Sequence, residues 1–295
     1  MQRVKDQNRI ASAPSTSRTR SASSDTYAGE KMAAFMRNSE LHGECSLKAA
    51  SGEQLPVRFC TVSELQTGPH LFFGDGDLDQ FIGGLSLGQV IFLYGSQQCL
   101  TLSELLCLQV QLEPTRGGLN SKAIFIDGGN TFDPYFIAQY AAEKFPICID
   151  QALDRILVSR AFTCHQLTSF ITNILPKEVQ ERSAKLIIIS DMIELYRDPD
   201  ANQIESLDLF KITTNSLITT ARLEKVIVLA TSPHEKKSCS DPFLQAIKQR
   251  VDIVLRLEEG CGHKALLEKH PTRQEEEFTI KTTVPKVLEE FLIGD

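Results

Sequence analysis

The residues from Gln89 to Ser103 have the spacing of a phosphate-binding site. The apolar run from Val90 to Tyr94 stops at Gly95, a short polar loop follows, and a helical pattern begins after the loop. A strand, a glycine turn and a helix N-terminus together point backbone N–H groups at an anion. This layout makes Gly95 and Ser96 candidate nucleotide-binding residues.

The side chains that a working phosphate loop requires are missing. The motif G-x-x-x-x-G-K-[ST] needs a second glycine for close approach, a lysine for phosphate charge and a hydroxyl for magnesium. Counted from Gly95, these three positions hold Leu100, Thr101 and Leu102. Moving the register by one residue brings Ser103 to the hydroxyl position but supplies no lysine. We interpret Thr101 and Ser103 as vestigial, and we predict that Thr101 caps the helix in a capping box with Glu104.

The surrounding pattern predicts one α/β domain. Apolar runs alternate with helical patterns, which is typical of a mostly parallel sheet flanked by helices. Strands are predicted at 89–94, 123–127, 155–159, 186–189, 226–230 and 253–257. The last of these is expected near a sheet edge because polar residues alternate in it. The carboxyl ends of parallel strands share one rim, so the turns after Tyr94, Asp127, Ile189 and Ala230 should meet there.

Helix boundaries follow from proline and its neighbours. Asp133 and Pro134 predict the start of a helix, with proline at its first position. A second helix is predicted from His165 to Leu175, and Pro176 is expected to end it. The region from Ile204 to Leu223 is predicted to be helical.

Residues 1–55 differ from the rest of the chain and are rich in Ser and Arg. Such a segment has too few apolar residues to offset the entropy of ordering, which predicts a disordered tail. A nucleic-acid-binding arm and a transit peptide are alternatives. Residues 56–295 are predicted to form the core domain.

Composition narrows the class of protein. The net charge of −7 argues against a dedicated nucleic-acid coat protein. The eight cysteines contain no Cys-x-x-Cys pair and fit no zinc pattern, which predicts reduced thiols and no metal. No apolar run approaches the roughly 20 residues of a transmembrane helix, so no membrane partner is expected. We expect a cytoplasmic, nucleoid-associated protein, or a nuclear one in a eukaryote.

Several segments, in order, resemble the ATPase core of the RecA/RadA recombinase superfamily. The segment from Ile126 to Phe132 resembles the family's I-D-T-E-N-T-F sequence, and that from Ile156 to Phe162, followed by His165-Gln166, resembles L-V-A-R-A-Y…H-Q. The segment from Lys185 to Asp191 lies where the second nucleotide motif belongs. The resemblance covers about 230 residues by this count and implies a RecA-like P-loop NTPase core.

Two departures from the family's pattern fall at catalytic positions. Where the family has the glutamate that activates water, this chain has Gly129. Where the family has the magnesium-side aspartate, this chain has Ser190, with Asp191 one residue further on. A one-residue step along a strand points a side chain to the other face. The sequence therefore predicts no ATP hydrolysis, no catalytic residue and no tight binding of magnesium nucleotide.

The resemblance also implies two loops that touch DNA. The first corresponds to 197–204 and offers Arg197; the second corresponds to 233–242 and offers Lys236 and Lys237. Each loop also carries acidic residues, so an ordinary solvated loop is the alternative. The family's Phe-x-x-Ala polymerisation tag is absent as such.

Three functions remain open on the sequence. The first is a non-catalytic paralogue that acts in DNA recombination and repair as a binding or assembly factor. The second is a DNA-dependent ATPase with an atypical or shared site, which alone would require ATP and magnesium as cofactors. The third is a regulatory or structural module without DNA binding. Expected partners are a recombinase or paralogue of the same family, a second copy of the chain, or single-stranded DNA.

Overall fold

The computed structural model describes residues 69–197, 202–233, 241–258 and 263–280. The predicted tail, the domain boundary at residues 55 and 56, and the candidates Lys236 and Lys237 lie outside these residues. The described strands are β1 (His70–Leu71), β2 (Leu85–Ser86), β3 (Val90–Tyr94), β4 (Ala123–Asp127), β5 (Ile156–Arg160), β6 (Leu186–Ser190), β7 (Ile227–Ser232), β8 (Ile253–Glu258), β9 (His263–Lys269) and β10 (Glu276–Ile280).

Helices connect the strands. They are α1 (Gly76–Ile82), α2 (Gln98–Gln109), α3 (Pro134–Lys144), α4 (Ile149–Asp154), α5 (Cys164–Ser169), α6 (Leu175–Arg182), α7 (Gln203–Glu224) and α8 (Pro242–Arg250). Short 3₁₀ turns occur at Pro114–Arg116 and Glu194–Tyr196, and a π-helical turn spans Phe170–Ile174. Among the described helices, none is long and apolar enough to cross a membrane.

Eight strands form the main sheet, in the order β10-β9-β8-β3-β7-β6-β4-β5. The six strands from β3 to β8 are parallel, and the two last strands pair antiparallel at one end of the sheet. The predicted fold class, α/β with a mostly parallel sheet flanked by helices, is confirmed. Residues 253–257, expected near a sheet edge, lie in β8, the third strand from one edge, because β9 and β10 extend the sheet beyond it.

Side chains alternate between two cores, one on each face of the sheet. Ile91 and Leu93 enter the first core, which includes residues of α1, α2 and α3; we call it the α2-side core. Val90 and Phe92 enter the second, which includes residues of α5, α6, α7 and α8; we call it the α7-side core. This double burial explains why β3 is apolar throughout.

Proline has different effects in two helices. Asp133 caps α3, its side chain accepting from the N–H groups of Tyr135 and Phe136, and Pro134 is the first helical residue, as predicted. Pro176 does not end its helical segment. The π-helical turn before it allows α6 to begin with Pro176 in its first turn, where no intrahelical N–H is needed.

Candidate functional site

The turn after β3 is closed by contacts with its neighbours. Gly95 has a φ of +102°, and a Cβ atom added there would lie 2.6 Å from the carbonyl oxygen of Leu257. Its N–H donates to the carbonyl of Ser232 at 3.1 Å. Glycine is therefore required here by backbone conformation and by the close approach of β8.

Helix α2 begins directly after this turn. The N–H of Gln98 donates to Ser96 Oγ at 3.2 Å, and the N–H of Cys99 donates to the Ser96 carbonyl at 3.1 Å. The N–H of Leu100 donates to the carbonyl of Gln97 at 3.0 Å. The N–H groups that would face a phosphate in a working loop thus donate within the turn itself.

The predicted capping role of Thr101 is wrong. The observed N-cap is Gln97, four residues before Thr101, and its side chain makes no capping hydrogen bond, so Thr101 lies inside α2. Ser103 is fully buried, and its hydroxyl donates to the carbonyl of Leu100 at 2.6 Å. Residue type favoured Thr101 as a cap, but the tight turn at Gly95 sets the start of the helix.

Glu104 is a buried carboxyl group rather than a cap. Its Oε1 accepts from the N–H of Asp133 at 2.7 Å, which joins α2 to the start of α3. Burial raises the pKa of Glu104 to about 8; the hydrogen bond from Asp133 lowers it, and the nearby carboxylates of Asp133 and Asp127 raise it. The one sequence signal for its burial is its position within the apolar helix pattern.

Asp127, at the end of β4, organises the next part of the rim. It is 1% exposed and accepts from the N–H groups of Thr131 at 2.9 Å and Phe132 at 3.2 Å. The hydroxyl of Ser190, from β6, also donates to it at 2.9 Å. Arg160 Nε lies 3.5 Å from its Oδ2. Asp127 therefore holds the loop that follows β4 against two neighbouring strands.

Asp191 lies outside strand β6 and next to Gly129. The expectation that its side chain points to the other face of the sheet assumed an extended strand and therefore does not apply. Strand β6 ends at Ser190, and Asp191 has a φ of +47°. A Cβ atom added at Gly129 would lie 3.0 Å from the Cβ and 3.2 Å from the Oδ2 of Asp191. The Asp191 N–H donates to Thr231 Oγ1 at 3.1 Å. The turns after β4 and β6 thus meet beside the end of β7 at one rim, as expected for parallel strands.

Arg197, the candidate DNA-contacting residue within the described ranges, is not part of this rim cluster. The side chain of Arg197 is 7% exposed and pairs with Glu194 and with Asp241, the N-cap of α8. Both ion pairs are with carboxylates of the same chain. The guanidinium group is therefore buried and already paired, which does not favour the predicted DNA contact. Within the described ranges, no group of three or more His, Cys, Asp or Glu residues could hold a metal ion.

The fold and rim together define the class of protein. The glycine turn after β3, the following helix and the adjacent strand ends form a RecA-like core. Residues 68–207 match the family model Rad51. This region of the chain belongs to the RecA/RadA-like recombinase superfamily.

Curated relatives are similar over about half of the chain. It is 28% identical over 159 residues to "DNA repair protein RAD51 homolog B" of Zea mays, which covers 50% of this chain and 45% of that protein. It is 31% identical over 162 residues to "Meiotic recombination protein DMC1/LIM15 homolog" of Homo sapiens, with coverage of 51% and 46%. The matches thus span less than half the length of these relatives.

Proposed function

We propose that this chain acts in DNA recombination and repair as a binding or assembly factor whose RecA-like core does not turn over ATP. The names of its relatives support the role in recombination and repair. The lost side chains at Leu100, Thr101, Leu102 and Gly129 support the absence of catalysis. Phosphoryl transfer depends on positioning and charge neutralisation by groups at such positions.

The observation that carries the proposal is the closed turn after β3. A phosphate bound there would need the N–H groups of Gln98, Cys99 and Leu100, and each of them already donates to Ser96 or Gln97. Opening the turn would break these hydrogen bonds, each worth about 1 kcal/mol. No lysine at the motif position compensates for that loss.

Calorimetry tests the loss of nucleotide binding. The purified full-length chain is titrated with ATP, with and without magnesium, beside a related recombinase with an intact phosphate loop as positive control. We expect heat of binding from the control alone. Magnesium-dependent binding together with ATP turnover above background would contradict the proposal.

One observation favours a second candidate, an ATPase with an atypical site. The carboxylate of Asp191 occupies the space above Gly129, at the position where the family carries its water-activating glutamate. If the chain hydrolyses ATP, Asp191→Asn should abolish turnover. The matched variant Asp150→Asn, in α4 and outside the rim, should not change it.

The proposed assembly role is supported by β5, which pairs only with β4 among the described strands. An open strand edge presents unpaired backbone groups to which an extended segment can add. Exposed apolar side chains accompany this edge: Val158 is 42% and Phe162 is 69% exposed. We propose that β5 contacts a recombinase or paralogue of the same family, or a second copy of this chain.

A pair of double variants tests this contact. Val158→Lys/Phe162→Lys should abolish co-elution with the partner in size-exclusion chromatography. The control Ile204→Lys/Ile212→Lys changes two exposed apolar residues on α7 and should leave co-elution intact. Equal behaviour of the two variants would exclude β5 as the contact.

A further inference from the structure

Basic residues stand at the amino-terminal ends of four neighbouring strands. The rim described above lies at the opposite, carboxyl-terminal ends of these strands. Lys122, Arg155 and Lys185 immediately precede β4, β5 and β6, and Lys225 lies two residues before β7. These strands are adjacent in the order β7-β6-β4-β5. Although the four residues are far apart in sequence, the sheet arranges them in one line, which we call the basic row.

The strand register places three of these residues at the same level. Ala123 pairs with both Ile156 and Leu186. The residues one position earlier, Lys122, Arg155 and Lys185, therefore lie level with one another at the starts of the three strands. Adjacent strands lie about 4.8 Å apart, so the row from Lys225 to Arg155 spans about 14 Å.

The basic row has little internal charge compensation. Among the residues that the structure describes, no ion pair involves any of its four members, and Arg155 donates to the neutral Asn120 Oδ1 at 3.1 Å. Two nearby arginines are already paired, Arg182 with Glu178 and Arg222 with Asp252.

Nearby carboxylates reduce the net charge of this edge but do not cancel the row. They are Asp154, Glu181 and Glu224, and Glu224 accepts from Gln180 at 2.8 Å. Arg155 and Lys225 occupy C-cap positions of α4 and α7, where a helix dipole favours a cation.

The helix dipole does not account for Lys122 and Lys185, which immediately precede the neighbouring strands β4 and β6. The Lys185 N–H donates to the Lys122 carbonyl at 3.4 Å, so the two backbones are in direct contact. Like charges directly opposite on adjacent strands are destabilising. A bound external anion would remove this repulsion.

We propose that the basic row binds the phosphodiester backbone of single-stranded nucleic acid. A line of cations at the spacing of adjacent strands matches a polymer that carries a charge on every unit better than it matches an acidic protein segment, in which charges are interrupted by neutral residues. Such binding is electrostatic and independent of sequence, so it is weak at physiological salt. The inference rests on the proposed role at DNA but not on the loss of ATP turnover or on the β5 contact.

Fluorescence anisotropy with a labelled oligothymidylate tests the proposal over a range of salt concentrations. Four phosphate contacts give a plot of log association constant against log salt concentration with a slope of about −2.8. Lys122→Gln/Lys185→Gln leaves two contacts and should reduce the magnitude of the slope to about 1.4. The dissociation constant of this variant should rise by about tenfold or more at 50 mM salt. The charge-preserving variant Lys122→Arg/Lys185→Arg should bind like the parent.

The control is Lys144→Gln/Lys177→Gln, which removes the same charge from exposed lysines on α3 and α6. It should leave the salt slope unchanged. Thermal melting checks folding, and the variant Lys122→Gln/Lys185→Gln should melt no lower than the parent because a like-charge contact is relieved. If this variant does not fold, Lys122→Gln alone is measured, and half the change in slope is expected.

The proposal is overturned if the parent shows no salt-dependent binding, if Lys122→Gln/Lys185→Gln binds as tightly as the parent, or if polyglutamate competes as well as the oligonucleotide at equal charge. The first two results leave the calorimetric and co-elution tests of the proposed function unaffected.

Discussion

Replacing Glu104 with glutamine should change how the stability of this protein depends on pH. The Glu104 side chain is 6% exposed and accepts a hydrogen bond from the Asp133 N–H, which a glutamine carbonyl can also accept. Burial raises the pKa of Glu104 to about 8, from 4.5 for an unperturbed glutamate. Between these values the folded protein holds a proton that the unfolded chain releases.

The sign of the effect follows from proton linkage. Because the folded state binds more protons than the unfolded state between pH 4.5 and 8, the free energy of unfolding falls as pH rises through this range. At about 1.4 kcal/mol for each pH unit of difference, the loss is at most about 5 kcal/mol. Glu104→Gln cannot ionise and should escape this loss.

Urea unfolding at pH 5 and pH 8.5 measures the difference between the two proteins. We expect the midpoint of the parent to fall relative to that of Glu104→Gln by about 1 M or more, given typical slopes of about 1–3 kcal/mol/M. Glu143→Gln is the matched control, because it removes the same charge from an exposed position on α3. Its urea midpoint should equal that of the parent at both pH values.

Parallel behaviour of the parent and Glu104→Gln across this range would refute the reasoning. It would mean that Glu104 is ionised in the folded protein at neutral pH, and hence that water or a cation reaches the junction between α2 and α3.

Two further substitutions test the turn after β3 and the buried ion pair. Gly95→Ala should lower the free energy of unfolding by about 2 kcal/mol or more, because alanine is strained at a φ of +102° and its Cβ meets a backbone oxygen. Its control is Gly76→Ala, where a Cβ meets nothing within 4 Å, and this variant should be neutral or stabilising in the same urea assay. Arg197→Ala should cost about 3 kcal/mol, because it leaves Asp241 buried without its cation; Arg182→Ala, at an exposed pair, should change the unfolding free energy by less than about 1 kcal/mol.

Some local features could be predicted from residue type alone. Asp133 and Pro134 begin α3 as expected, since capping and the fixed φ of proline act within a few residues. Thr101 and Pro176 show the limit of this approach. The tight turn at Gly95, six residues before Thr101, and the π-helical turn before Pro176 decided those boundaries, although the residue types pointed elsewhere.

Local sequence pattern was enough to establish the α/β class, the double burial of the central strands and the absence of the usual phosphate-loop side chains. These properties depend on local pattern, and burial on both faces requires an uninterrupted apolar run. Three other features became visible in the folded chain: the N–H groups of the turn at Ser96 donate within the turn, Asp191 lies over Gly129, and four basic residues stand at the starts of adjacent strands. These arrangements depend on strand order, register and packing between residues distant in the chain, which local pattern does not encode.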